Sequence, residues 1–236
     1  MSLISGTSSS ITLSAASIGK KICVIDVGGT HVKIYSGEQE NVKMFESGHE
    51  MTPAAFVAGI HQCVDMAQFE GVSIGFPSPV KGHRILKEPA NLGKGWVNVD
   101  FGQVLSCPVK LINDAAMQAV GSYEGGSMLF LGLGTGLGSA LVVDNQLQPM
   151  ELAHLPFRDK DYEYYVSEQH RENVGDVQWH NDVFEIANIF YNTFMPDYIV
   201  LGGGNVHNLR ELPAHIRRGD NDKAFLGGIR LWGNNL

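Results

Sequence analysis

Two carboxylates and two glycine turns carry most of the chemistry available to this chain. Asp26 ends an apolar run beside Gly28-Gly29-Thr30, and Asp114 follows Asn113 at the end of another, Val109–Ile112. A second turn, Gly134-Thr135-Gly136, sits inside LFLGLGTGLGSAL. Glycine adds no Cβ, so backbone N–H groups in such turns can come close to a phosphate. Thr30 and Thr135 add hydroxyl donors. Asp26 suits a Mg²⁺ ion, held directly or through water, that neutralises phosphate charge; its plainer role is to close a turn. Asp114 lies where a strand becomes a helix, a place for function in α/β sheets. There it can take the proton of a hydroxyl attacking phosphorus, or it can serve only the helix as an N-cap. Lys33, along the second arm of the first hairpin, reads as structural or solvent-facing.

Further along, Glu151 and His154 stand three apart in ELAH and can share one face of a turn. A carboxylate and a neutral imidazole together suit the vicinal hydroxyls of a sugar. They are also half a metal site, but no further His or Cys follows at ligand spacing. Glu163 lies nearby in DYEYYVS, and alone reads as surface. Basic residues gather at Lys81, His83, Arg84, Lys87 and Lys94, and again at His215, Arg217 and Arg218. These stretches either line a polyanion track or are solvated surface.

The elements that must position these groups alternate. Lys21–Val27 reads as a buried strand with His31–Ser36 as its returning arm. A helix is expected over 53–70, opened by Pro53, with Phe56, Ile60, Val64 and Ala67 at helical spacing and Gly71 as its stop. Val72–Phe76 is a strand leading into Pro77-Ser78-Pro79, and residues 81–98 read as loop and short strand. A second helix is expected over 177–195, with Val183, Ile186, Phe190 and Phe194 on one face. Tyr198–Leu201 is a strand running into Gly202-Gly203-Gly204, and Asp220–Trp232 is a last helix. The alternation predicts an α/β architecture. No repeat of fixed period is present.

Composition bounds the rest. The chain has 236 residues, enough for one large domain or two small ones. A net charge of −8 argues against a nonspecific nucleic-acid or membrane binder. Three scattered cysteines without a CxxC point to neither a disulfide framework nor a zinc knuckle, and to a reducing cytoplasm. Residues 1–20 are Ser-rich, lack a basic start and a long apolar core, and read as a disordered extension. No stretch is apolar enough to span a bilayer.

DVGGTHVK, INDA, LGLGTGLGSAL, ELAH and LGGGN occur in the order found in sugar kinases of the ROK family (repressor, open reading frame, kinase), over about residues 21–236. NLGKGW, ELAHLPFRDKDYEYYV and RGDNDKAFLGGIRLW resemble in particular the polyphosphate/ATP glucokinases of that family. The resemblance implies an α/β, two-lobed actin/hexokinase-like (ribonuclease H-like) fold with a central cleft. It implies an N-terminal lobe over 21–112, a C-terminal lobe over 113–219, and a final helix near 220–232 packing back on the first. It makes Asp114 the general base for the 6-hydroxyl of glucose, and Asn113, Glu151, His154, Glu163 and Asn91 the sugar contacts. It makes Asp26, Gly28, Gly29, Thr30, Gly134, Thr135 and Gly136 the phosphate and Mg²⁺ cradle. Gly202, Gly203 and Gly204 then lie by the nucleoside, or along a longer phosphate chain. The phosphoryl donor is ATP or polyphosphate, and no structural zinc is expected. A homodimer is carried by the resemblance alone. Ser78 and Ala153 depart from the family by standing where it commonly has glycine, which matters only if φ is positive there. Two other readings stay open. One is a kinase of another hexose, mannose or an N-acetylated sugar. The other is a non-catalytic sugar sensor, although family regulators carry a helix-turn-helix domain for which residues 1–20 leave no room.

Overall fold

Every residue of Ile22–Val27 except Asp26 is buried, and this strand, β1, becomes the centre of a five-stranded sheet. The computed structural model describes residues 21–37 and 42–233; the expected N-terminal extension lies outside them. The first sheet comprises β1, β2 (His31–Tyr35), β3 (Val42–Glu46) and β4 (Gly71–Phe76). A small hairpin of β5 (Val80–Lys81) and β6 (Arg84–Ile85) follows, and β7 (Val109–Asn113) completes the sheet in the order β3-β2-β1-β4-β7. The second sheet comprises β8 (Ser127–Leu133), β9 (Leu137–Val143), β10 (Gln146–Met150), β13 (Tyr198–Gly202) and β14 (Ile216–Arg218). A hairpin of β11 (Pro156–Phe157) and β12 (Lys160–Asp161) stands apart from it.

The second sheet runs β10-β9-β8-β13-β14, the same order as the first. Directions match too: the first three strands are antiparallel neighbours, and the fourth and fifth join in parallel. The two halves are therefore one topology built twice, with no repeat in sequence to announce it. Each half opens with a hairpin closed by a glycine turn. In the first, the Gly28 N–H donates to the His31 carbonyl at 2.9 Å; in the second, that of Gly134 donates to Gly136 at 3.1 Å.

Seven helices complete the described chain: α1 (Pro53–Cys63), α2 (Phe101–Leu105), α3 (Asp114–Ser122), α4 (Tyr162–Val166), α5 (Glu168–Val174), α6 (Asp176–Phe194) and α7 (Lys223–Arg230). The expectation of one helix over 53–70 is corrected. α1 stops at Cys63, Val64 is extended, and Asp65 caps a separate 3-10 turn by accepting the Ala67 N–H at 3.1 Å. A short polar side chain competes with the helix for its own backbone donors. The last helix is also shorter than Asp220–Trp232. The Asp220 carboxylate accepts the Asp222 N–H at 3.0 Å, which closes a turn before α7 begins. Strands β3 and β10 and helices α2, α4 and α5 went unread, being short and mostly half-exposed.

The closing helices of the two halves join them. α3 follows the last strand of the first sheet and packs between the sheets, on β4 of the first and on β8 and β9 of the second; α7 follows the last strand of the second and packs on β1 and β4 of the first. They cross at Gly121 and Gly227. A Cβ on Gly121 would run into the Lys223 carbonyl, and one on Gly227 into the Met117 carbonyl, so the two backbones touch directly. Beneath α7, Phe225 stacks on Tyr35 at 5.4 Å, within an apolar cluster that includes Ile22, Val24, Met117 and Ile229. On the other face of the first sheet, Trp96 packs 5.0 Å from Phe76 and 5.6 Å from Phe56. Its indole donates to the Gly93 carbonyl at 2.8 Å, and Glu88 accepts the Gly95 and Trp96 N–H groups. Those bonds fix the loop that carries Asn91.

Candidate active site

In a parallel sheet, side chains at the carboxyl ends of neighbouring strands converge. β1 and β7 flank β4, and Asp26 and Asn113–Asp114 stand at their ends. Gly75 of β4 lies between, and a Cβ there would sit 3.4 Å from the Asp114 Cα. Asn113, not Asp114, is the N-cap of α3: its Oδ1 accepts the Ala116 N–H at 3.2 Å. The capping role open to Asp114 in the sequence thus belongs to its neighbour. The Asp114 carboxylate accepts the adjacent Ala115 N–H at 2.8 Å and is half-buried.

These carboxylates feel one another. Burial pushes Asp26 up to about 6, with Lys33 pulling it back. Lys33 is its direct cross-strand neighbour in the hairpin, so the two side chains share a face. Asp114 is pushed up to about 7, first by burial and then by the Asp26 charge; the Ala115 N–H opposes this and Glu151 adds to it. Glu151 is itself raised, first by desolvation, with His154 and Lys87 opposing and Glu163 adding. Asp26, Asp114, Glu151, Glu163, His154 and Lys87 therefore form one electrostatic neighbourhood drawn from both halves. The hairpin register that pairs Lys33 with Asp26 can be counted from the turn, although the sequence reading set Lys33 aside. Lys87 had no such signal and was grouped with surface bases.

The segment carrying Glu151, Ala153, His154 and Glu163 is tied to the second glycine turn. Glu163 accepts the Leu137 N–H at 3.0 Å and donates its own N–H to the Ala153 carbonyl at 2.9 Å. It is half-buried, not the plain surface residue its isolation in sequence suggests. His154 is exposed, with Nδ1 3.4 Å from Asp161. Behind the segment, buried Asp182 accepts from Arg158 at 2.8 Å and pairs with His170 Nε2 at 2.9 Å, while Arg158 also reaches Glu185.

The phosphate side is an open cleft of about 550 Å³ whose lining includes Gly29, Thr30, Asn91 and Thr135, so the two turns face each other across it. The Gly28 and Gly134 N–H groups are spent inside their own turns. The cradle is left with the donors of Gly29, Thr30, Thr135 and Gly136. Gly202 packs against Phe130 and Gly203, at φ +83°, against the Leu133 backbone; Gly204 is open. Asn205 donates to the Gly134 carbonyl at 3.2 Å, which sets this turn beside the second glycine turn. The basic stretch at 215–218 is engaged elsewhere. Arg217 pairs with Glu124 at 2.8 Å and lies 3.8 Å over the Tyr198 ring, Arg218 donates to the Val206 and Leu209 carbonyls, and His215 bonds Asn188. It lines no track.

Neither departure from glycine strains the backbone: Ser78 and Ala153 are absent from the positive-φ positions. The Ser78 hydroxyl donates to the Lys87 carbonyl at 2.5 Å, and its own carbonyl accepts Asn113 Nδ2 at 3.4 Å. Mg²⁺, which the resemblance implies, fits the residues present. Asp26 and Asp114 are two carboxylates raised by burial, Asp114 also by the Asp26 charge, and among the described residues no hydrogen bond holds the Asp26 carboxylate. Mg²⁺ uses one or two carboxylates with waters and substrate phosphates. Among the described residues no group of three or more His, Cys, Asp or Glu is set to hold a metal alone, and no helix is long and apolar enough to cross a membrane.

Comparison with known proteins bears on the fold and the family. Polyphosphate glucokinase of Mycobacterium tuberculosis is 25% identical over 203 residues, covering 76% of this chain and 76% of its own. The inorganic polyphosphate/ATP-glucomannokinase of Arthrobacter sp. strain KM superposes with a TM-score of 0.72 at 24% identity, over 90% of this chain and 98% of that one. A ROK family glucokinase from Streptomyces griseus, solved with glucose and AMPPNP, gives 0.65 at 16% identity, over 89% and 98%. The fold is their two-lobed, actin-like α/β fold. The ROK family model matches residues 22–149, from β1 into β10, and on that match the chain belongs to the ROK family.

Proposed function

We propose that this protein is a glucokinase that moves the terminal phosphoryl group of ATP or polyphosphate to the 6-hydroxyl of glucose. One arrangement carries the reading: Asp26 and Asp114 stand at the ends of β1 and β7 on either side of Gly75, and Asp114 feels the charges of both Asp26 and Glu151 of the ELAH segment. A base that deprotonates an alcohol as it attacks phosphorus must stand between donor and acceptor.

Glucose would lie against Asn91, Asn113, Glu151, His154 and Glu163, with its 6-hydroxyl toward Asp114. The hydroxyl oxygen attacks the terminal phosphorus, and the bond from that phosphorus to the donor's bridging oxygen breaks. The proton passes to Asp114, and the donor departs one phosphate shorter. Thr30, Thr135 and the free N–H groups of the two turns would steady the transferring oxygens. Mg²⁺, when bound at Asp26, would neutralise charge on the donor phosphates. Closure of the halves about the α3–α7 crossing would exclude water, the competing acceptor. General-base assistance is worth roughly 10²–10⁴ in rate.

The test is sugar 6-phosphate formation by purified protein with glucose, mannose, N-acetylglucosamine and N-acetylmannosamine, each with ATP and with polyphosphate. Glucose should give the highest kcat/KM. Preference for mannose or an acetamido sugar would move the assignment to another hexose. Calorimetric sugar binding without transfer from either donor would make the protein a sensor and end the kinase reading.

A further inference from the structure

The cleft between the two glycine turns does not end at them. On the first half it continues past Thr30 to His31 and to the segment Glu46–His49, which leads out of β3. This segment is fastened to the first turn: the Ser47 N–H donates to the Thr30 carbonyl at 2.9 Å, and its hydroxyl donates to the Gly28 carbonyl at 2.6 Å. The wall is thus part of the turn. Its polar groups face the cleft in a fixed relation to Thr30, and Thr135 faces them from the other half.

The chemistry of that wall selects an occupant. Apart from Glu46 and two imidazoles its side chains are short and polar, and no aliphatic, Phe, Tyr or Trp side chain lines it for a nucleobase to lie on. The turn at Gly202–Gly204, expected by a nucleoside, does not line this end of the cleft, and Asn205 beside it bonds the Gly134 carbonyl of the second half. His31 Nδ1 bonds Thr30 Oγ1 at 3.1 Å, and its other ring nitrogen and the whole His49 ring have no protein partner among the described residues. Imidazole N–H groups near a phosphate turn make charge-assisted hydrogen bonds to phosphoryl oxygens.

We infer that the His31–His49 end of the cleft is a subsite for a linear phosphate chain, holding the phosphates that follow the transferred one when polyphosphate is the donor. The inference rests on the kinase reading above and names the donor that reading leaves open. ATP would leave this end empty, its nucleoside lying by Gly204. Glu46 is the carboxylate on the same wall and opposes the chain's charge.

His49→Gln is the cleaner variant, because His31 also touches Thr30. It should raise KM for polyphosphate about tenfold, the loss expected for one hydrogen bond to a charged group, and change KM for ATP less than about twofold. Glu46→Gln should act oppositely and lower KM for polyphosphate a few-fold by removing repulsion. Inorganic tripolyphosphate should inhibit ATP-driven turnover, and more weakly in His49→Gln. Equal losses with both donors, or no loss with either, overturn the subsite. So does a wild-type protein that phosphorylates glucose from ATP but not from polyphosphate, and that outcome leaves the kinase reading standing. Failure with both donors removes the kinase reading itself.

Discussion

Replacing Asp114 by Asn should make the protein more stable and nearly inactive. The wild-type carboxyl rises from 3.8 to about 7 because burial and Asp26 both disfavour its charge. A raised acid is a stability cost that is absent below the unfolded pKa and grows until pH passes the folded one. The shift is roughly three units, which at about 1.36 kcal/mol each sets a ceiling near 4 kcal/mol. Asp114 is only half-buried and shares its titration with Asp26, so about 1–2 kcal/mol is the expected share. For a chain of this length that is roughly 3–6 °C in Tm. Asparagine retains the oxygen that accepts the Ala115 N–H, so that bond survives. Scanning calorimetry in metal-free buffer should show the variant melting above wild type near pH 8. The gap should close toward about pH 4, while turnover falls roughly 10²–10⁴-fold. Asp26→Asn should draw the Asp114 carboxyl downward and shift the rise of any remaining activity to lower pH. An offset in Tm that ignores pH, a variant less stable than wild type near pH 8, or preserved turnover would refute the reasoning.

Two other perturbations test the frame around the site. Gly227→Ala drives a methyl into the Met117 carbonyl of α3, so urea unfolding should lose at least about 1–3 kcal/mol, the usual cost of overpacking. An unchanged midpoint would mean that the helices separate without strain. Arg158→Met leaves buried Asp182 without its arginine partner; the exposed flank of Arg158 reduces the usual 3–5 kcal/mol for such losses to about 1–3 kcal/mol by denaturant titration. A neutral result would assign the charge to His170 alone.

The sequence by itself determined the local pieces and much of the chemistry. Alternating apolar runs and glycine turns set β1, β2, β8 and β9 as hairpins, because buried strands and tight turns are written in neighbouring residues. The order of five short motifs carried the family, since each pairs a turn geometry with a fixed residue type. Helix ends were less legible. A single side-chain bond from Asp65 or Asp220 outweighed the periodicity around it.

Only the tertiary structure decided how these pieces meet. That the halves share one topology depends on strand pairing between distant segments, which leaves no period in sequence. The contact of Gly121 with Gly227 joins residues 106 positions apart, and no local signal marks which two glycines will touch. The raised pKa of Asp26 comes from burial and that of Asp114 from burial and from Asp26, and both causes exist only once β1 and β7 flank β4. The same assembly turned Lys87 from one base among several into a charge felt by Glu151, and withdrew Arg217 and Arg218 into pairs of their own. Residue type was legible in the chain, but electrostatic environment was not, because it falls with distance in space and the chain records only distance along itself.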